Sequence, residues 1–207
     1  MDVKAFKQQP IMGILRGITL EAVEPLVKTV VEAGLKTIEI TMNTDKAAML
    51  IRQMVKFSKG KLNVGAGTVL NLEDLKEALA AGATFIVLPT LKTDVVGYCV
   101  ERKIPVFPGA LTPQEIENAW NAGATMVKVF PAKFFGPEYF KEIKGPFSNI
   151  ELLACGGVNP GNVQSFLDSG ASAVAFGGSV FKEEWLKEKN FLKIGESVKK
   201  LINSINT

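Results

Sequence analysis

A chain of 207 residues, 47% of them apolar and 22% charged, can form one domain with a full core or two small domains. Its net charge of +3 is small and its basic residues are dispersed, which argues against a nucleic-acid-binding surface, and no apolar run approaches the roughly 20 residues of a membrane span. The absence of histidine excludes histidine-based catalytic triads and histidine-ligated zinc sites, while two cysteines without framework spacing and a polar N-terminus predict reduced thiols in a cytoplasmic protein.

The predicted elements follow a repeating pattern in which a helix ends at a glycine and a short apolar strand follows. In the four clearest copies these glycines are Gly34, Gly82, Gly123 and Gly170. They are spaced by roughly 45 residues, about twice the length of one strand–helix unit, so each interval holds a second unit. In chain order, the eight predicted strands fall within residues 11–16, 32–40, 61–67, 80–88, 104–109, 121–129, 150–157 and 168–176.

Amphipathic stretches after most strands predict helices, two of which open at Thr19 and Thr112 as expected N-caps. Eight alternating units fit either a closed (β/α)8 barrel or an open doubly wound sheet. Even spacing and polar residues inside the strands favour the barrel. We therefore predict an α/β fold, a single-domain (β/α)8 TIM barrel spanning residues 1–207. Residues 183–207 are expected to form a C-terminal helical region that packs on it.

Three charged residues lie in strands at positions expected to face the barrel interior. Alternation places Glu39 and Lys128 inward, between apolar neighbours that suit the helical layer, and Arg16 at the carboxyl end of the first strand. The second and sixth strands of an eight-stranded barrel lie opposite each other, so Glu39 and Lys128 would meet across a central cavity. One interpretation is a structural ion pair, although buried pairs stabilise a core weakly. The other is catalysis, because a buried lysine in its amine form can attack a ketone.

Two glycine pairs follow the seventh and eighth strands, where barrel enzymes frequently bind phosphate. Without a Cβ, their N–H groups can approach phosphate oxygens, and a neighbouring serine adds a hydroxyl donor. The alternative is a set of tight turns without a ligand. After the third strand, Thr68 is a candidate substrate contact, whereas Thr112 is interpreted as structural. The predicted phosphate residues are Gly156, Gly157, Gly177, Gly178 and Ser179.

These segments together resemble the family of 2-keto-3-deoxy-6-phosphogluconate (KDPG) and 4-hydroxy-2-oxoglutarate (KHG) aldolases. The motifs that carry the resemblance are ILRG, IEIT, GAGTV, PGALTP, KVFPA, GPEYFKEIKGPF, GGVNPGN and GGS, in that order. The resemblance implies a (β/α)8 barrel, commonly a homotrimer, with neither a metal nor a cofactor. It also implies Lys128 as the Schiff-base lysine, Glu39 as the acid–base group, and Thr68 and Arg16 near the substrate.

Two residues depart from the common family pattern. Asn43 stands where many members carry an arginine that contacts the substrate carboxylate, and Cys155 stands where many carry a threonine. Asparagine cannot replace the bidentate, charged grip of arginine. Pro89 and Phe130 complete the predicted substrate-binding set.

The activity that the resemblance implies is cleavage of KDPG to pyruvate and glyceraldehyde 3-phosphate, with KHG cleavage to pyruvate and glyoxylate as a further reaction. The expected partners are small molecules, with no nucleic acid and no membrane. Three alternatives stay open. They are the relatives that act on the galactonate-derived epimer (KDPGal), a phosphosugar isomerase or synthase on the same barrel, and a sugar-phosphate-binding barrel without catalysis.

Overall fold

Nine short parallel strands form one sheet in the computed structural model, which describes residues 1–205. The strands are β1 Ile11–Leu15, β2 Thr37–Thr41, β3 Asn63–Gly67, β4 Ile86–Val87, β5 Val106–Phe107, β6 Gly109–Ala110, β7 Val127–Val129, β8 Leu152–Cys155 and β9 Ala173–Phe176. The helices are α1 Val3–Gln8, α2 Leu20–Glu32, α3 Ala47–Ser58, α4 Leu72–Ala80, α5 Thr93–Glu101, α6 Pro113–Asn121, α7 Glu138–Lys144, α8 Val163–Asp168, α9 Glu183–Lys187 and α10 Phe191–Asn203, with a 3-10 turn at Ala132–Phe134.

The strand order around the sheet is β5-β4-β3-β2-β1-β9-β8-β7-β6. Its two end strands, β5 and β6, are halves of the predicted fifth strand, interrupted at Pro108, which has no N–H to give to a ladder. The covalent chain therefore joins the two ends of the sheet, and the barrel is nearly closed. The predicted (β/α)8 barrel is confirmed, with its fifth strand divided in two.

Side chains alternate between two apolar layers, as the strand pattern predicts. The outer layer, between strands and helices, includes Ile38, Ile40, Val127 and Val129. A separate inner cluster fills the barrel interior. At its amino-terminal end Phe6 of α1 packs edge-on against Phe107, and Phe107 packs edge-on against Phe85. These rings close the bottom of the barrel, so a cavity can open only toward the carboxyl ends of the strands.

Helix ends largely follow the predicted signals. Gly34, Gly82, Gly123 and Gly170 all adopt left-handed backbone angles, with φ between 94° and 101°. Thr112 caps α6 and forms a capping box with Glu115. The Thr19 prediction was wrong in one respect: Thr19 occupies the N-cap position of α2, but its hydroxyl donates to the Glu21 carboxylate instead of accepting from the helix backbone.

The C-terminal region contains α9 and α10. Helix α10 packs against α2, where a Cβ on Gly195 would lie 2.9 Å from a methyl carbon of Thr29. The predicted helical region extends to Thr207, but its last two residues lie outside the described part of the chain. Across residues 1–205, none of the helices is both long and apolar enough to cross a membrane.

Candidate active site

The carboxyl ends of the strands surround a cavity of ≈ 720 Å³, here called the main cavity. The loops after β1, β8 and β9 form most of its wall, together with the 3-10 turn after β7. Eight residues predicted from the sequence lie in its lining: Arg16, Phe130, Cys155, Gly156, Gly157, Gly177, Gly178 and Ser179. The topology thus brings together side chains that are more than 160 positions apart in the sequence.

Lys128 and Glu39 face the interior from opposite walls. The strand order places β1, β9 and β8 between β2 and β7, so Glu39 and Lys128 lie half a barrel apart. Glu39 is 1% exposed and Lys128 is 7% exposed. Within residues 1–205, the ion pairs found within 4.0 Å all lie at the surface, and none joins Lys128 to Glu39. The structure therefore does not contain the direct ion pair of the structural alternative.

The Glu39 carboxyl is held in an environment that favours its protonated form. Burial raises the pKa of Glu39, and the positive charges of Lys128 and Arg16 offset this only in part. Its Oε2 atom is buried and has no hydrogen-bond partner among the described residues. A buried oxygen without a hydrogen-bond partner destabilises the fold, so a purely structural role does not account for it. Such an atom is expected in a group that exchanges protons with a ligand.

Gly67 creates the space for this carboxyl group. Glu39 pairs with Gly65 in the β2–β3 register, and its side chain extends over Gly67. A Cβ built on Gly67 would lie 2.3 Å from Oε1 and 2.5 Å from Cδ of Glu39. The absence of a Cβ at Gly67 thus lets the Glu39 side chain lie directly against the backbone of β3.

Thr68 follows Gly67 in a conformation that is unusual for its residue type. Its φ is 54°, in the left-handed region that β-branched residues rarely adopt. Its side chain is half-buried, and its hydroxyl makes no hydrogen bond within residues 1–205. Such strain at a rim position is typical of functional sites, and the free hydroxyl is available to a ligand.

A threonine pair that was not predicted from the sequence lies at the end of β2 and contacts the loop after β1. The hydroxyls of Thr41 and Thr44 lie 3.0 Å apart within hydrogen-bond reach, and the Gly17 N–H donates to the Thr44 hydroxyl at 3.4 Å. The contact fixes the turn that follows Arg16. Only the burial of both threonines, which the sequence pattern does not reveal, could have indicated this role.

The two glycine pairs lie side by side in the wall of the main cavity. Gly156 and Gly157 have φ values of 99° and 83°, so both positions need glycine, whereas a Cβ on Gly178 would meet open space. The N–H groups of Gly157, Gly178 and Ser179 donate no hydrogen bond within the described chain. These three donors are free to bind an anion.

Side chains of the GGVNPGN loop hold this cradle in place. Asn159 and Asn162 both donate through Nδ2 to the Gly157 carbonyl oxygen, at 3.1 and 3.0 Å. The Ser179 hydroxyl donates to the Val158 carbonyl at 2.6 Å and so ties the two glycine loops together. Neither asparagine was predicted as a site residue, although two amide side chains within five residues of a glycine pair were a visible signal.

Phe130 separates the main cavity from a smaller side cavity of ≈ 270 Å³. Pro89 lines the side cavity, and the Lys128 Nζ atom lies 5.2 Å from the centre of the Phe130 ring.

Cys155 lies in the barrel interior, where burial raises the pKa of its thiol and the nearby positive charge of Lys128 lowers it by a smaller amount. Asn43 is exposed on the turn after β2, and it is not among the described residues that line either cavity.

Taken together, the fold and this site define a (β/α)8 barrel with a buried lysine and a buried glutamate in its interior and free backbone N–H groups at the carboxyl ends of its strands. Comparison with known families identifies the particular class. The family described as "Aldolase: KDPG and KHG aldolase" matches residues 3–197. The chain belongs to the KDPG and KHG aldolase family and is therefore an aldolase, a lyase.

Similar proteins and structures agree with this assignment. The 2-dehydro-3-deoxy-6-phosphogalactonate aldolase of Escherichia coli strain K12 is 34% identical, over 84% of this chain and 85% of its own. The 2-dehydro-3-deoxy-phosphogluconate aldolase of Haemophilus influenzae is 31% identical, over 98% and 96%.

Two solved structures share the fold. One, "Native KDPGal structure", aligns with a TM-score of 0.88 at 30% identity, covering 94% of this chain and 93% of that one. The KDPG aldolase of Legionella pneumophila, with pyruvate captured as a covalent carbinolamine, aligns with a TM-score of 0.85 at 25% identity, covering 93% of each. Because the family consists of aldolases, the isomerase, synthase and binding-module alternatives are set aside.

Proposed function

We propose that this protein is a class I aldolase that cleaves KDPG to pyruvate and glyceraldehyde 3-phosphate through a Schiff base on Lys128. One observation carries the proposal: Lys128 and Glu39 are both buried in the barrel interior, on opposite strands, without an ion pair between them. Free backbone N–H groups in the wall of the main cavity, at the carboxyl ends of the strands, add support. The Legionella relative, captured with pyruvate as a carbinolamine, supports the same type of intermediate here.

Lys128 is the nucleophile of the scheme. Its amine attacks the C2 ketone of the substrate, and the resulting carbinolamine loses water to form a protonated iminium. The iminium accepts the electron pair of the C3–C4 bond as that bond breaks. The Phe130 ring, 5.2 Å from Nζ, covers the imine on the cavity side and limits the access of water.

Glu39 is the acid–base group. As a carboxylate it removes the proton of the C4 hydroxyl, through a water molecule that spans the gap to the substrate. Its raised pKa then allows it to hold that proton and return it to C3 of the pyruvate enamine. One carboxyl group that cycles between two states can serve each proton transfer in a chain without histidine.

The rim residues position the two ends of the substrate. Thr68 and Arg16 are proposed to bind near the carboxylate of the pyruvate half, where Thr68 offers an unpaired hydroxyl and Arg16 a positive charge at the cavity wall. The phosphate binds at the N–H groups of Gly157, Gly178 and Ser179, with Gly156 and Gly177 completing the two turns. Asn43, Pro89 and Cys155 remain proposed substrate contacts that set selectivity.

A second substrate has specific support. The E. coli relative, at 34% identity, is a phosphogalactonate aldolase, and KDPGal differs from KDPG only in the configuration at C4. Cys155, which lines the main cavity, departs from the common pattern close to the proposed substrate region. KDPGal is therefore the alternative substrate, and KHG, which has no phosphate, is a further candidate.

A pyruvate-release assay on KDPG, KDPGal and KHG tests the proposal directly. We expect a higher kcat/KM on KDPG than on KDPGal, slower KHG cleavage, and no loss of activity with EDTA. A preference for KDPGal would support the alternative substrate. The absence of pyruvate release from all three compounds, or loss of activity on chelation, would contradict the scheme.

We also propose a cytoplasmic homotrimer. Both cysteines are buried and unpaired, as expected in a reducing compartment. Phe134 and Phe135, in and just after the 3-10 turn that follows β7, are 71% and 55% exposed. Two neighbouring aromatic side chains exposed to water are unfavourable, and contact with another subunit would bury them.

A further inference from the structure

Two lysines that the mechanism does not use line the main cavity next to the glycine cradle. Lys133 follows β7 in the 3-10 turn and packs directly on Gly157, where an added Cβ would lie 2.5 Å from the Lys133 Cβ. Lys187, at the end of α9, lines the opposite part of the wall near Gly178. The two side chains therefore flank the cradle from the β7 and β9 sides.

Neither ammonium group has a strong partner in this structure. The Lys133 Nζ lies 5.0 Å from the centre of the exposed Phe134 ring. Lys187 donates to the Glu183 carboxylate at 2.6 Å, one helical turn earlier, but both side chains are largely exposed. An exposed ion pair between long side chains is weak, because water screens it and two flexible chains must be ordered. Both lysines can therefore turn toward a ligand at little cost.

The cradle itself offers a phosphate only backbone dipoles. A phosphomonoester carries a charge of about −1.5 to −2 near neutral pH, and lysine is an effective point charge for such a group. The charged residues in the cavity wall are Arg16, Lys133, Lys187 and Glu183. Arg16 is assigned to the pyruvate end, which leaves the two lysines as the remaining cations in the wall of the main cavity and Glu183 as the opposing anion.

We propose that Lys133 and Lys187 form a two-sided clamp on the substrate phosphate, and that Glu183 holds Lys187 only while the cradle is empty. This inference rests on the proposed function, which it extends from backbone contacts to two specificity-determining side chains. Glu183 has a second consequence, because its negative charge beside the cradle repels the phosphate and lowers affinity for it.

The test compares KDPG with its dephosphorylated counterpart, 2-keto-3-deoxygluconate, in a pyruvate-release assay. The readout is the ratio of kcat/KM for the two compounds, which isolates the contribution of the phosphate. We expect Lys133→Met and Lys187→Met each to lower this ratio about tenfold, mainly through a higher KM for KDPG, as for loss of one hydrogen bond to a charged group. Glu183→Gln is expected to raise the ratio.

Lys141→Met is the matched control, because Lys141 is an exposed lysine on α7 that does not line the main cavity. It should leave the ratio unchanged, and unfolding temperatures should verify that every variant folds. If the wild-type protein cleaves neither compound, the proposed function itself fails. If the wild type is active but neither lysine variant lowers the ratio relative to the control, the clamp is refuted and the proposed function stands.

Discussion

Replacing Gly67 with alanine would place a methyl group where the Glu39 carboxylate now lies. The added Cβ would be 2.3 Å from Oε1, 2.5 Å from Cδ and 2.8 Å from Oε2, whereas ordinary contacts begin near 3.4 Å. The carboxylate must therefore move by about 1 Å. A displacement of this size at a reacting group costs roughly 100-fold in rate, or about 2.7 kcal/mol in the activation barrier.

The stability cost of this substitution should be small. The displaced atoms are the far end of a flexible side chain, and Gly67 does not have a positive φ. Steady-state pyruvate release should show kcat lowered about 100-fold, while the unfolding temperature changes by only a few degrees.

Gly65→Ala, two residues earlier on the same strand, provides the matched control. There the added Cβ would lie 2.4 Å from two atoms of the Phe85 ring, which packs edge-on against Phe107. This variant should lose about 1–3 kcal/mol of stability through overpacking, with a much smaller effect on kcat. If Gly67→Ala kept kcat within about threefold of wild type, the proposed position or role of Glu39 would be wrong.

Three further predictions concern stability and assembly. Glu39→Gln should raise the unfolding temperature relative to wild type by an amount that grows as the pH rises from 4 to 8. Burial raises the pKa of Glu39 in the folded state above its unfolded value of about 4.5. Wild-type Glu39 is therefore fully favourable to folding only below about pH 4.5, and it becomes destabilising as the pH rises through its folded-state pKa, whereas the glutamine variant has no charge to bury. A difference in unfolding temperature that does not change with pH would contradict this. Gly109→Ala should destabilise the barrel by about 3 kcal/mol or more in denaturant titrations, because its Cβ would lie 2.0 Å from the backbone carbonyl oxygen of Pro89; near-wild-type stability would show that β4 and β6 are less closely packed. Phe134→Glu should shift the mass measured by light scattering from three chains to one, and an unchanged mass would place the subunit interface elsewhere.

Most of the barrel could be predicted because its signals are local. Alternation within TIEIT and VKV placed Glu39 and Lys128 inward, and the glycine at each helix end marked a left-handed backbone position. The break in the fifth strand was not predicted, although Pro108 is the kind of residue that interrupts a ladder.

The unpredicted features depend on contacts between distant segments. The position of Lys133 is one of them: its side chain is exposed, but the 3-10 turn after Pro131 brings it against Gly157. The Asn159 and Asn162 contacts to the Gly157 carbonyl and the left-handed backbone of Thr68 likewise depend on loop geometry. Strand periodicity carries no information about these positions, because loop conformation is set by tertiary contacts.

Lys128 is proposed to form the covalent intermediate. Borohydride reduction of the protein in the presence of pyruvate, followed by peptide mapping by mass spectrometry, tests it most directly. The reduced pyruvate adduct should appear on Lys128, activity should be lost in parallel, and Lys128→Met should give no adduct. An adduct on Lys133 instead of Lys128, or full activity after reduction, would contradict the account.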